Sequence, residues 1–286
     1  MIIHRRTRIA AATAVTLAAV LIPLGPASPA AADPAGLVVV KETSNPTSGQ
    51  DKHTDASCPD GTVVTGGGGY LTAPGSPLHY ASIFRMQPTF DGSGLWLGTQ
   101  ENFAYAPNWQ HTVIAVCAPE PPGWEIVQQI GGNQQQYVTT PSCGNGRSVI
   151  GAGGRVNEGV PEVVMEDIVP SADLKTVTVR GVEMPGSTDN DWSVTAYAIC
   201  ANTPAGLQRV SFPTGASSAT HQSVGGSCPA GKALYGAGVE VVAGNGNVLL
   251  SGVNIIGNDQ VTVWADEILG GYGGNWSITA YGICGS

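Results

Sequence analysis

The feature that most constrains this fold is an internal repeat marked by cysteines. The chain has 286 residues and six cysteines: Cys58, Cys117, Cys143, Cys200, Cys228 and Cys284. The first member of each successive pair recurs after 85 residues, from position 58 to 143 and from 143 to 228. Such a period predicts three similar units that bury their apolar faces against one another.

Other motifs keep the same register. Each opening cysteine begins a Ser-Cys-x-x-Gly motif, and each closing cysteine follows a tryptophan by eight residues. Glycines lie eight and ten residues after each opening cysteine: Gly66 and Gly68, Gly151 and Gly153, Gly236 and Gly238. We place the repeats at 33–119, 120–203 and 204–286. The connectors, Pro/Gly-rich turns near 120 and 204, are too short to tether independent domains.

The composition and local patterns predict an all-β fold. The chain has 40 Gly and only 12% charged residues, which is typical of turn-rich β proteins. Val/Ile/Thr-rich runs bounded by Gly, Asn, Asp and Pro predict strands: 38–41, 62–65, 176–179, 248–250 and 261–264. The glycine series fits strands with bulges or a closely approaching backbone. We expect a pseudo-threefold, β-prism-like arrangement; the alternative is three consecutive small β-sandwich domains.

The N-terminus predicts export. Residues 1–32 combine Arg5, Arg6 and Arg8 with an apolar stretch and a small-residue cleavage site, so we expect a signal peptide removed after Ala32. Arg5-Arg6 leaves the Sec and twin-arginine routes open. The remaining chain has 9 basic and 21 acidic residues, a net charge of −12. It lacks the electrostatic basis for nucleic-acid binding, and no further apolar stretch predicts membrane insertion.

Export makes disulfides the expected use of the cysteines. Six cysteines allow fifteen pairings, and the repeat favours the one in which each unit closes on itself: Cys58–Cys117, Cys143–Cys200 and Cys228–Cys284. The short Cys-x₂-Cys spacing of zinc sites is absent from the sequence. We therefore expect no metal and no cofactor.

Two resemblances follow from these motifs. Ser-Cys-Pro-x-Gly and Trp-x-x-Thr-Ala-Tyr-x-x-Cys in tandem resemble secreted actinobacterial proteins of unassigned role, over nearly all of residues 36–286. This resemblance implies secretion and repeats but no activity. The Cys-Pro-x-Gly segments at Cys58 and Cys228 are also similar to those of vitelline membrane outer layer protein, which implies a β-prism. Repeat 1 departs from the second motif at Val113-Ile114.

The polar candidates for a ligand site are those that recur in all three repeats. Aromatic, carboxylate and amide groups together are sugar-binding chemistry. The recurring sets are the tryptophans Trp109, Trp192 and Trp276, the residues before them, Asn108, Asp191 and Asn275, and the carboxylates Glu101, Glu183 and Glu267. The alternative interpretation is structural: turn residues, sheet anchors and solvated glutamates.

These features predict a secreted, non-catalytic protein that binds an extracellular glycan or a cell-envelope component, with three equivalent sites. A second hypothesis is a secreted hydrolase whose site lies in repeat 1, where His79, His111 and Glu101 break the repeat pattern. The adjacent pairs Glu166-Asp167 and Asp266-Glu267 should point to opposite faces of their strands, so they are poor glycosidase pairs. A protease inhibitor with a disulfide-braced loop is a third hypothesis. The sequence leaves the oligomeric state open.

Overall fold

The computed structural model describes residues 36–73, 78–187 and 191–286. These residues form 18 β-strands and no helix, which confirms the all-β prediction. Within these ranges no helix has the length and apolar character to span a membrane. The predicted signal peptide lies outside the described residues.

Each repeat contributes six strands. Repeat 1 has β1 (Val38–Thr43), β2 (Asp51–Ser57), β3 (Thr62–Thr72), β4 (Ala81–Pro88), β5 (Gly94–Glu101) and β6 (Gln110–Pro119). Repeat 2 has β7 (Glu125–Ile130), β8 (Tyr137–Thr139), β9 (Arg147–Glu158), β10 (Val163–Pro170), β11 (Val177–Glu183) and β12 (Trp192–Asn202). Repeat 3 has β13 (Gln208–Pro213), β14 (His221–Ser227), β15 (Ala233–Val242), β16 (Val248–Ile256), β17 (Gln260–Glu267) and β18 (Ser277–Gly285).

The strands form three six-stranded antiparallel sheets, each shared by two repeats. We name each sheet by the repeats that build it. Sheet 3/1 has the order β1-β6-β3-β16-β17-β14, sheet 1/2 the order β2-β5-β4-β9-β12-β7, and sheet 2/3 the order β13-β18-β15-β10-β11-β8. The alternative of three consecutive sandwich domains is wrong, because no repeat forms a sheet of its own.

The repeats meet at three equivalent strand pairs, which we call junctions. Junction 3/1 pairs β3 with β16, junction 1/2 pairs β9 with β4, and junction 2/3 pairs β15 with β10. The third strand of every repeat therefore pairs with the fourth strand of another repeat. Each repeat takes part in two junctions, so its fold depends on both others.

Glycines make this close packing possible. A Cβ atom on Gly151 would lie 2.0 Å from the carbonyl oxygen of Thr65, and one on Gly66 would lie 2.5 Å from Cα of Gly236. A Cβ atom on Gly236 would in turn lie 2.8 Å from Cα of Gly151. The three glycines thus contact one another in a cycle, each next to a β-bulge. Both predicted reasons for the glycine series, bulges and close backbone approach, are confirmed.

The disulfide prediction is also confirmed. Cys58–Cys117, Cys143–Cys200 and Cys228–Cys284 each close one repeat, and the described part of the chain has no free cysteine. The last strand of each repeat carries the closing cysteine and is mostly buried on both faces. In β12 the buried run extends from Val194 to Ala201. The outer faces of the sheets consequently have few exposed positions, among them His221 and Ser223 of β14.

Candidate functional site

The repeated tryptophans are buried structural anchors. Trp109, Trp192 and Trp276 are 1%, 2% and 0% exposed. The indole Nε1–H of Trp109 donates to Oε1 of Glu101 at 2.7 Å, and Trp192 makes the same bond to Glu183 at 2.7 Å. In repeat 3, Trp276 donates to Glu267 at 3.2 Å and also to a backbone carbonyl. The rings therefore present no open face on which a sugar could stack.

The glutamates are not the solvated strand residues of the structural interpretation, because two of them are buried and Glu183 is partly buried. Glu101 and Glu267 are 6% and 2% exposed, and Glu267 accepts a second bond from the backbone N–H of Tyr272 at 2.8 Å. Each carboxylate ties the indole to the strand before it, since a buried N–H without an acceptor is costly. The residues that precede the tryptophans, Asn108, Asp191 and Asn275, are instead exposed. The three predicted sets thus do not converge on three ligand sites.

The residues of the predicted repeat 1 hydrolase site are already bonded within the fold. His111 is fully buried, with Nδ1 2.7 Å from Oγ1 of Thr99 and Nε2 2.7 Å from Oγ1 of Thr54. Burial, followed by the charge of Lys52, lowers the pKa of His111 to about 4. The ring of His79 bonds to the carbonyl oxygen of Glu267 at 2.7 Å. These residues do not assemble an open catalytic site.

An open polar site lies instead on the outer face of sheet 3/1. His221 and Asp266 are register partners on β14 and β17, and Nδ1 of His221 lies 2.8 Å from Oδ1 of Asp266. The Asp266 side chain is 2% exposed, whereas the His221 side chain is 43% exposed. A buried carboxylate at Nδ1 fixes the orientation of the imidazole and leaves Nε2 available to a ligand.

An aromatic ring lies beside this pair. Trp264, also on β17, is partly buried, and its indole lies directly over Gly252 of the neighbouring strand. A Cβ atom on Gly252 would lie 2.3 Å from Cε2 of Trp264. Tyr70 of repeat 1 packs against the indole at a centroid distance of 5.6 Å. The absence of a side chain at position 252 lets the indole lie flat on the sheet.

These residues line an open cavity of about 410 Å³ between repeats 3 and 1. Ser223, Thr262 and Thr72 add hydroxyl groups to the wall formed by Trp264, His221 and Asp266. The size falls in the range of small-molecule sites. We call this cavity the Trp264 pocket. A second opening, which shares Thr72 and Ala73 with it, is lined by Pro46, Asn108, Trp109 and Gln110; Trp109 contributes only a 1% exposed side chain to this wall.

Another cavity, of about 380 Å³, lies in repeat 1 beside Trp96, Asp55 and Asp91. Phe90, which is 64% exposed, forms a T-shaped pair with Trp96 at a centroid distance of 6.2 Å. The guanidinium of Arg85 lies 4.5 Å from the centroid of that ring. Arg85 therefore covers part of the Trp96 ring.

Of the two adjacent acidic pairs, Asp266-Glu267 behaves as predicted for residues on opposite faces of a strand. Asp266 bonds to His221, whereas Glu267 bonds to Trp276. In the other pair a β-bulge lies at Glu166, and both Glu166 and Asp167 interact with Arg180. Glu166 and Asp167 accept bonds from the backbone N–H groups of Gly246 and Val241 at 2.7 and 2.9 Å. Burial raises the pKa of Glu166 to about 6 and that of Asp167 to about 7. Within the described ranges, no three His, Cys, Asp or Glu side chains form a cluster suited to a metal.

Comparison with known proteins adds no family. The chain matches no family model, and no curated protein is significantly similar to it. The sequence contained a usable signal for the Trp264 pocket: His221, Asp266 and Trp264 occupy positions where repeat 1 has Asp51, Gln100 and Gly98 and repeat 2 has Gln136, Val182 and Arg180.

Proposed function

We propose that this protein is a secreted, non-catalytic module that binds an extracellular carbohydrate in the Trp264 pocket. Three intrachain disulfides support an oxidising, extracytoplasmic location. The observation that carries the binding proposal is the flat indole of Trp264 beside a buried carboxylate, an oriented imidazole and three hydroxyl groups.

The chemistry of the pocket matches a sugar ring. An indole face covers the apolar C–H face of a pyranose, while hydroxyl, imidazole and carboxylate groups bond to its hydroxyls. The combination of Trp264, His221 and Asp266 occurs in repeat 3 alone among the three repeats, and repeat 1 completes the wall through residues such as Thr72. The proposal is therefore one site per chain, rather than the three equivalent sites that the recurring tryptophans predicted.

The test is a glycan array with residues 33–286, followed by titration calorimetry on any ligand found. We expect Trp264→Ala to weaken binding at least tenfold, and Trp96→Ala, an outer-face indole of repeat 1, to leave it unchanged. Circular dichroism and thermal unfolding establish that both variants fold. Binding that survives Trp264→Ala, or is lost with Trp96→Ala, would contradict the assignment of the pocket.

A second candidate function is hydrolysis, and the His221–Asp266 pair is the observation that favours it. A carboxylate that bonds Nδ1 of a histidine is the arrangement that orients a general base. We would screen turnover of acylated sugars, esters and peptides by the wild-type chain and by His221→Ala. Turnover that disappears in His221→Ala supports catalysis, whereas ligand binding without turnover supports the non-catalytic proposal.

A further inference from the structure

Two arginines oppose each other at junction 1/2. Arg85 of β4 and Arg155 of β9 are register partners in adjacent antiparallel strands, so their side chains share the outer face of sheet 1/2. Like charges directly opposite each other in a sheet are destabilising. Burial, and then the charge of Arg155, lower the pKa of Arg85. The pair is therefore held together at an electrostatic cost.

Nothing in the described part of the chain neutralises these charges. The ion pairs there involve other residues, so neither Arg85 nor Arg155 faces a carboxylate within 4.0 Å. Arg85 donates its Nε–H to Oε1 of Gln87 at 2.9 Å and stacks on Trp96. Nε of Arg155 is buried and has no hydrogen-bond partner. A buried guanidinium donor without an acceptor is unfavourable, so the fold holds Arg155 in this place at a cost.

The equivalent positions of the other junctions show that the fold does not require arginine here. Junction 2/3 has Asp167 and Glu240 in these two places, and junction 3/1 has Gly252 and Tyr70. The pair is also unexpected in a chain with 9 basic and 21 acidic residues after position 32. The positive charge of the Arg85–Arg155 pair is therefore specific to junction 1/2, whereas the chain as a whole is acidic.

We propose that Arg85 and Arg155 form a binding site for a single oxyanion: a sulfate, phosphate or carboxylate group carried by an extracellular ligand. Guanidinium groups bind such groups through paired N–H donors. The hydroxyl-bearing ring of Tyr197, on the adjacent strand β12, lies close enough to interact with both arginines. The acidic remainder of the chain excludes long polyanions, so the site takes one charged group. This proposal does not depend on the Trp264 pocket.

The test uses inorganic sulfate as the probe. Sulfate stabilises folded proteins in general by exclusion from their surface, so the measurement is the difference between variants. We would record Tm in sodium sulfate and in sodium chloride of equal ionic strength for the wild type, Arg155→Gln and Arg209→Gln. Arg209 is a matched control, because it also stacks on an aromatic ring, that of Tyr281, and donates to a carbonyl oxygen.

In sulfate, we expect the Tm of the wild type and of Arg209→Gln to rise in a saturable way, by more than sulfate exclusion alone would cause. The Tm of Arg155→Gln should rise only by the amount that exclusion causes. Without sulfate at low salt, Arg155→Gln should be at least as stable as the wild type, because the repulsion is removed. Arg155→Lys keeps the charge but not the paired donors, and it should bind sulfate more weakly. Competition by a sulfated sugar, a sugar phosphate and a uronate then identifies the source of the oxyanion.

Three results would overturn the proposal. The first is an equal sulfate response in the wild type and Arg155→Gln. The second is a response lost in Arg209→Gln instead. The third is a marked loss of stability in Arg155→Gln and Arg155→Lys without sulfate, which would mean that the arginine serves the fold.

Discussion

Junctions 1/2 and 2/3 share one backbone arrangement but carry opposite charges. Arg85, Arg155 and the nearby Tyr197 face outward at junction 1/2. The corresponding residues of junction 2/3 are Asp167, Glu240 and Tyr281, and there the Tyr281 hydroxyl donates to Glu240 at 2.5 Å. At the acidic junction, Asp167 and Glu240 both accept hydrogen bonds from within the fold, whereas at the basic junction Nε of Arg155 has no acceptor.

The two junctions show which positions of the fold can differ between repeats. Glycines, disulfides and Trp–Glu bonds recur in every repeat and hold the sheets together. The outer positions of the junctions differ from repeat to repeat, and both proposed sites lie at such positions. We expect substitutions in the shared elements to change stability, and substitutions at the junctions to change binding or the dependence on pH.

The largest effect should come from Gly151→Ala, which acts on the scaffold that both junctions share. The new methyl group would lie 2.0 Å from a backbone oxygen of β3, and the strands would have to separate. We expect a loss of more than about 4 kcal/mol in the free energy of unfolding, or failure to fold. Gly215→Ala, which meets no atom within 4 Å, is the matched control in urea unfolding. Equal stability of the two variants would contradict the role assigned to the glycine cycle.

Asp167→Asn tests whether the buried carboxyl group of junction 2/3 makes the stability depend on pH. Burial raises the pKa of Asp167 from 3.8 to about 7. The hydrogen bond from the Val241 backbone and the charge of Arg180 oppose this rise, and the charges of Glu166 and Glu240 add to it. Between these pH values the folded protein binds more protons than the unfolded chain, so the free energy of unfolding falls as the pH rises, by at most about 4 kcal/mol. The variant should lose much of this decline when urea unfolding is compared at pH 4.5 and pH 8. A decline of unchanged size would contradict a protonated Asp167.

His111→Val tests a pH dependence opposite to that of Asp167, because His111 lowers the stability as the pH decreases. The pKa of His111 falls from 6.5 to about 4 in the folded state, so the wild type loses stability as the pH decreases through this window, by at most about 3 kcal/mol. Repeats 2 and 3 carry Val194 and Ile278 at this position, which makes valine the natural replacement. The variant should lose less stability between pH 6.5 and pH 4.5 than the wild type, as measured by urea unfolding.

The smallest effect should follow Glu101→Ala. The variant leaves the buried Nε1–H of Trp109 without its acceptor, which should cost about 2 kcal/mol. In a Trp109→Phe background, which has no indole N–H, the same change should cost less. Additive costs in this double-mutant cycle would show that the Trp–Glu bond does not stabilise the scaffold.

Much of the fold could be predicted from the sequence, because the repeat appears in residues that the backbone requires. The pairing of Cys58 with Cys117 and the close approach at Gly66 follow from spacing alone. The sharing of each sheet by two repeats could not be predicted, since strand pairing between repeats leaves no mark in a periodic pattern. The recurring tryptophans, which the sequence offered as ligand residues, are buried for a related reason: recurrence marks what the fold needs, and Trp109 recurs because it is an anchor.

The central claim is that the recurring tryptophans hold the scaffold, while ligands bind at residues found in one repeat. A direct test records the indole N–H signals in ¹H–¹⁵N spectra during titration with a glycan identified by the array. The account predicts that the Trp264 signal shifts and that those of Trp109, Trp192 and Trp276 do not. Shifts of the three recurring indoles, with Trp264 unchanged, would contradict it.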